Sequence, residues 1–174
     1  MHRLARMFAL FLCLALPVFS HAAGDEGDAK TKIAIGDVPP PGLGSTFEGE
    51  PVLTTQFAGR VMVVTFWASW CGPCLNELTL LEKIQILGKD RIKIVAVNIE
   101  SRDKFRAIKQ ALPDLTIQLT SDPRKRYADA YGVNGIPHMV IIGKDGKVVA
   151  VHRGYNDAAL PGLLKEINAE LAKG

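Results

Sequence analysis

Two stretches of the chain are apolar at nearly every position: Val61 to Val64, continued by Thr65, Phe66 and Trp67, and Ile92 to Ile99. Unbroken β-branched runs of this length read as strands buried on both faces. Between them, Leu75 to Leu87 repeats apolar residues at helical spacing. It predicts a helix from about Pro73 to Leu87, closed by Gly88. Strand, helix and strand in that order imply a right-handed parallel crossover. Further on, Ser101 to Leu112 predicts a helix capped near Ser101 or Arg102 and ended by Pro113. Leu115 to Leu119 alternates weakly, as a short strand. A second helix is expected from Ser121-Asp122-Pro123 to Tyr131, with Gly132 after it. Met139 to Ile142 and Val148 to Val151 flank Gly143-Lys144-Asp145-Gly146, an antiparallel hairpin with Asp-Gly as its turn signal. Asn156 caps a last helix, Asp157 to Lys173.

Upstream of the first buried strand the signals are weaker. Ile33 to Ile35 reads as a short edge strand and Gly36 to Gly42 as an extended, Pro-rich loop. Thr46 to Val52 suggests a small hairpin turning at Gly49, and Thr54 to Gly59 leads into the strand at Val61. The N-terminus has the three-part layout of a secretory signal peptide over residues 1–22: His2, Arg3 and Arg6, an apolar run from Met7 to Leu16, then Ser20-His21-Ala22 before Ala23. The run is short of the roughly 20 apolar residues a spanning helix needs, and an uncleaved anchor is the competing reading. Cys13 lies within the run and follows Leu12, not the small residue that a lipoprotein cleavage site requires. Residues 23–32 are small, polar and charged, a flexible tether. One domain, 33–174, remains.

Charge excludes some classes of function. Taking Arg3 and Arg6 from the 21 Lys and Arg leaves 19 basic residues against 18 acidic ones. Nothing in that balance supports binding to nucleic acid or a membrane surface. The one basic cluster, Arg124-Lys125-Arg126, reads as a solvated helix face or a docking point for an electron donor. Without the leader, Cys71 and Cys74 are the only cysteines. An even count suits an oxidising compartment.

Those two cysteines sit where the buried strand turns into the helix. Pro73 is tolerated in a first helical turn, where its missing N–H costs nothing, and this puts Cys71 at the helix start. Unpaired backbone N–H groups and the positive dipole end there favour a thiolate. Cys74 follows one turn later, near enough for a reversible disulfide after small adjustment. A zinc site would need four ligands, and the only other histidines outside the leader, His138 and His152, are not spaced as a pair. A purely structural disulfide would close a very small loop and gain little. Glu77 falls on the helix stripe of Cys74, Leu81 and Ile84. Buried there, its carboxyl would have a raised pKa and could exchange protons with Cys74; turned outward, it would be an ordinary early-helix Glu. Pro137 at a strand start is compatible with a cis or a trans bond after Ile136. His138 is either structural or a neighbour that tunes the thiolate. His152 reads as surface.

Trp70-Cys71-Gly72-Pro73-Cys74 at a strand-to-helix turn and Ala130-Tyr131-Gly132-Val133-Asn134-Gly135-Ile136-Pro137 before the next strand resemble the two signature segments of the thioredoxin superfamily. Within it the chain looks most like the exported TlpA/ResA-type oxidoreductases, from about Ile33 to the C-terminus. The resemblance implies an α/β thioredoxin-like fold, a central mixed sheet flanked by helices, with an N-terminal β-hairpin extension and a helical insert before the cis-Pro strand. It implies Cys71 as an exposed nucleophile, Cys74 as the resolving thiol, Glu77 as an active-site carboxylate and Pro137 as cis, packed on the cysteines. Trp70, Gly72, Pro73 and Ile136 would border the substrate, with Trp70 shielding the sulfurs and the Ile136 backbone pairing with a substrate strand. The chain departs from thioredoxin where Thr65 replaces a buried Asp, which leaves Glu77 or water for proton transfer, and from many relatives where Thr79 replaces a Pro.

The expected activity is reduction of protein disulfides in the periplasm by a monomer that needs no metal and no cofactor beyond the Cys71–Cys74 disulfide. Its thiols would be reloaded by a membrane electron donor of the DsbD or CcdA type. Cysteines of apocytochrome c or of a copper-site assembly protein are the expected substrates. The competing functions are a disulfide-donating oxidase or isomerase, and a copper chaperone using Cys71, Cys74 and His138.

Overall fold

The computed structural model describes residues 33–112 and 114–173. The leader, the tether, Cys13, and Pro113 as helix terminator lie outside them. Seven strands form one sheet. They are β1 (Gly42–Ser45), β2 (Pro51–Leu53), β3 (Val61–Trp67), β4 (Ile92–Asn98), β5 (Gln118–Ser121), β6 (His138–Ile142) and β7 (Val148–Arg153). Their order across the sheet is β2-β1-β5-β4-β3-β6-β7. β3, β4 and β5 run parallel, and the remaining pairings are antiparallel. Four helices complete the fold: α1 (Gly72–Gly88), α2 (Arg102–Ala111), α3 (Arg126–Ala130) and α4 (Leu160–Ala172). This is the mixed sheet with flanking helices and the thioredoxin-like architecture that the resemblance implies.

β3 holds the centre because both of its faces are dry. Val61, Val63 and Trp67 pack with Leu78, Leu81 and Ile84 of α1, Phe105 and Ile108 of α2, and Leu163 and Ile167 of α4. Met62, Val64 and Phe66 face the other way, onto Ile33, Leu43, Val52, Ala128 and Tyr131. The two apolar layers account for the lack of alternation in the β3 and β4 sequences.

Several boundaries differ from the sequence expectation. Ile33 to Ile35 is not a strand. Ile33 is buried, and the chain then turns, with Asp37 N–H donating to the Ala34 carbonyl and the Asp37 carboxylate accepting from Ala34 N–H. The hairpin begins at Gly42 rather than Thr46, because β1 gains its ladder from both β2 and β5. The weak strand lies at Gln118–Ser121, not Leu115–Leu119. The helix expected from Ser121 shrinks to Arg126–Ala130: Ser121 belongs to β5, Lys125 takes φ 56°, and the Asp122 carboxylate accepts from Tyr127 and Ala128 N–H. Gly88 is the last residue of α1 and not its left-handed terminator, which is Lys89 at φ 48°. Glycine is needed at 88 for space, since a Cβ there would meet Ile92 Cγ2 at 2.2 Å.

Gly44 tests whether the hairpin is integral to the sheet. It has φ +87°, and a Cβ would come 2.8 Å from the Ser121 carbonyl oxygen. Gly44→Ala is expected to lower stability in urea unfolding by about 1–3 kcal/mol. A change within experimental error would mean that β1 is not clamped to β5.

Candidate active site

The last residue of β3, Trp67, is followed within four residues by Cys71. The turn is fixed by Cys71 N–H donating to the Ala68 carbonyl at 3.1 Å. Cys71 is the N-cap of α1, and its Sγ accepts from Cys74 N–H at 3.2 Å. Pro73 occupies the first turn, as its missing donor allows. Cys71 and Cys74 are joined as a disulfide, with their Cα atoms 5.2 Å apart. Cys74 is fully enclosed, and Cys71 is only 6% exposed. The expectation of an openly exposed Cys71 is therefore corrected for the oxidised state, in which its sulfur is turned inward toward Cys74 N–H. Trp70 stands 71% exposed, so it does not close over the sulfurs. Trp67, which the sequence marked only as a strand residue, is buried in the same apolar cluster as both cysteines.

Glu77 lies on the inner stripe of α1, buried to 2% exposure. Thr65 Oγ1 donates to Glu77 Oε1 at 2.5 Å. Burial lifts the Glu77 carboxyl to about 7, against the opposing pull of the Thr65 hydrogen bond. A helix neighbour three residues from Cys74 has its Cβ roughly 5–6 Å away. Thr65 thus does not titrate but holds the group that does. The carboxylate missing from β3 is supplied from α1.

The Ile136–Pro137 bond is cis. β6 runs antiparallel to β3 with His138 opposite Phe66, which brings buried Pro137 level with Trp67, at the strand end that leads to Cys71. Ile136 is half-buried and touches both apolar layers. Among the described residues its N–H and carbonyl have no backbone partner. Gly72 and Pro73 are exposed on the outer turn of α1.

His138 is not part of this arrangement. Its register partner Phe66 faces the layer opposite the cysteines, and the two rings meet edge to face at 6.3 Å. Burial pushes the His138 imidazole down to about 4, with the Arg153 charge adding to the shift. A neutral ring on the far face cannot support a thiolate, nor complete a copper site with Cys71 and Cys74. Among the described residues no three His, Cys, Asp or Glu side chains converge as a metal-ligand set. His152 pairs with Glu166 at 2.7 Å.

One residue was missed by the sequence reading. Glu100 Oε2 accepts from Ser69 N–H at 2.6 Å and Oε1 from the Ser69 hydroxyl at 3.0 Å. Asn98 Nδ2 donates to the same carboxylate at 3.1 Å. Burial pushes the Glu100 carboxyl up, but these hydrogen bonds outweigh it and hold the group below its ordinary value. The carboxylate thereby ties the loop before Cys71 to the end of β4. The contact spans 31 residues of sequence and leaves no local signal.

A disulfide between cysteines three residues apart where a central strand feeds a helix, with a cis proline level with that strand's end, is the arrangement of thioredoxin-fold thiol–disulfide oxidoreductases. The Redoxin family pattern matches residues 29–167, and the chain belongs to that family, within its TlpA/ResA-like branch. Thiol-disulfide oxidoreductase ResA of Geobacillus thermodenitrificans is 32% identical over 127 residues, which are 72% of each chain. The thioredoxin-like protein YneN of Bacillus subtilis is 32% identical over 63% of this chain and 65% of its own. Among solved structures, a thiol:disulfide interchange protein assigned as DsbE from Chlorobium tepidum has 29% identity and a TM-score of 0.71, covering 81% of this chain and 100% of that one. The protein is a thiol–disulfide oxidoreductase.

Two measurements follow from this geometry. Glu77 keeps its proton in the folded state up to about 7 but would lose it near 4.5 when unfolded. The stability it confers is full below 4.5 and falls as pH rises to about 7. Urea unfolding across that range is expected to show Glu77→Gln gaining on wild type, by on the order of 3 kcal/mol in all. A difference independent of pH would mean that Glu77 is not buried as described. For the second, Glu100→Ala is expected to speed amide hydrogen exchange at Ser69 by about 10-fold or more, the loss of a charge-assisted hydrogen bond, with β4 amides unchanged. Unaltered exchange at Ser69 would remove Glu100 as the loop's anchor.

Proposed function

We propose that the protein is a periplasmic reductant of disulfides in exported proteins, with Cys71 as nucleophile and Glu77 as proton carrier. The observation that carries this reading is the protonatable Glu77 buried behind a Cys-Gly-Pro-Cys pair whose first cysteine caps a helix. In the reduced protein, the Cys71 thiolate, favoured by the helix N-terminus, attacks one sulfur of a substrate disulfide. The substrate's other sulfur leaves as a thiolate, and a mixed disulfide with Cys71 forms. Cys74 passes its proton to the Glu77 carboxylate. The Cys74 thiolate then attacks Cys71 Sγ, closes the Cys71–Cys74 disulfide and expels the second substrate sulfur. Two electrons pass to the substrate. The open backbone of Ile136 beside cis Pro137 offers one strand's worth of hydrogen bonds to the substrate, with Trp70, Gly72 and Pro73 as the exposed apolar border.

On this reading residues 1–22 direct export as a cleaved signal peptide. The protein works as a monomer and is returned to the dithiol form by a membrane donor of the DsbD or CcdA type. Its substrates are cysteines of apocytochrome c or of a copper-site assembly protein. Equilibrating the mature protein with a thiol redox buffer tests the direction of electron flow. A reduction potential near about −270 mV is expected, as for a thioredoxin-like reductant. A potential near about −120 mV would mean that it donates disulfides instead.

A further inference from the structure

Arg102 and the Arg124-Lys125-Arg126 cluster take no part in the thiol chemistry, yet the fold gathers three of them around one cleft. The cleft has a volume of about 310 Å³, and its walls include Ser45, Arg102, Ser121, Asp122, Arg124 and Arg126. A smaller cleft beside it shares Ser45, Arg102 and Ser121 and adds Arg106. Arg106 is 3.6 Å from Asp103. Among the described residues, Arg102, Arg124 and Arg126 have no acidic side chain within 4 Å. Asp122 also lines the cleft, with its Oδ2 engaged by Tyr127 and Ala128 N–H at 2.9 and 2.8 Å. Three guanidinium groups around one cleft suit carboxylates, which arginine binds through two parallel hydrogen bonds.

The cleft lies close to the strand end that leads to the cysteines. Ser121 lies opposite Asn98 in the β5–β4 register, and Asn98 lies opposite Trp67 in the β4–β3 register. Two inter-strand steps, about 10 Å, therefore separate the cleft from the strand end that leads to Cys71. A partner covering about 800 Å² of this surface would reach both. With nearly balanced charge over the rest of the chain, this is a local feature and not a general basic character.

We propose that this basic cleft is a docking subsite for a carboxylate-rich segment of the protein partner whose cysteines exchange with Cys71. The inference rests on the oxidoreductase reading but not on the direction of electron flow. Paired charges here would act mainly on the rate of encounter and on the choice of partner.

The test uses two cyclic disulfide peptides that differ only in a flanking triplet, Asp-Glu-Asp in one and three serines in the other. Their second-order exchange rates with the reduced protein are measured at low and high salt. With the wild type at low salt, the acidic peptide is expected to react about 10-fold faster. That advantage should disappear at high salt and in the triple variant Arg102→Ser, Arg124→Ser, Arg126→Ser. The three positions are exposed, so folding is expected to survive, and the neutral peptide's rate is the control for an intact site. Equal rates for the two peptides with the wild type, or a preference that persists in the triple variant, would overturn the inference. Failure of both peptides to exchange would sink the oxidoreductase reading itself, and the docking subsite with it.

Discussion

The structure depends on the burial of β3 from both sides. A strand with no solvated face cannot slip its register, because a one-residue shift would move every side chain into the opposite apolar layer. Fixed pairing with β4 on one side and β6 on the other brings Trp67, Asn98 and His138 to one edge of the sheet. The cysteines, Glu100 and Pro137 each follow one of those strand ends or precede it by a residue or a few. Convergence at this edge is thus a consequence of core packing. The site needs few contacts of its own beyond the Glu100 tie to Ser69.

The same burial sets the chemistry. An apolar layer that stabilises β3 also strips water from Glu77, and among the described residues the Thr65 hydroxyl is its one side-chain hydrogen-bond partner. An ionised carboxylate there is costly, so the group holds its proton into the neutral range, where a carrier of protons to and from a thiol is useful. His138 shows the contrary case. It is buried just as deeply, but on the other layer, where lowered basicity makes it an inert neutral ring with both nitrogens unpartnered. Burial drives both groups toward their neutral forms, on opposite faces of the sheet.

That distinction also marks how far the sequence could be read. The buried strands, α1, the placement of Cys71 at its head and the stripe carrying Glu77 all follow from local periodicity, which is strong there. Whether Glu77 points inward is a matter of angle along one helix, and the angular argument places it correctly among the buried positions. The face of His138 depends instead on the β6–β3 register, a relation between segments more than 70 residues apart that no local pattern encodes. β1 is similar: Gly42-Leu43-Gly44-Ser45 carries a single large apolar side chain and becomes a strand only because β5 and β2 supply its hydrogen bonds. The long helix expected after Ser121 fails for a related reason. Ser121 is drawn into β5, and Asp122 spends its side chain on the N–H groups of the short helix that remains.

Charge is distributed around the site in the same economical way. The surroundings of the disulfide are apolar, with Trp67 in the same buried cluster and exposed Trp70 and Leu75 nearby in the chain. Apolar contact of this kind holds many partners and distinguishes few of them. Discrimination must then come from groups outside the cysteine pair, and fixed charge is the means that acts before contact is made. On the docking proposal, the guanidinium groups of Arg102, Arg124 and Arg126 stand outside the apolar core, around a cleft two strands from the strand end that leads to Cys71. Placed there, they can bias which protein arrives without desolvating a charge beside the thiols, where a nearby arginine would alter the acidity of Glu77 and the balance of the exchange itself.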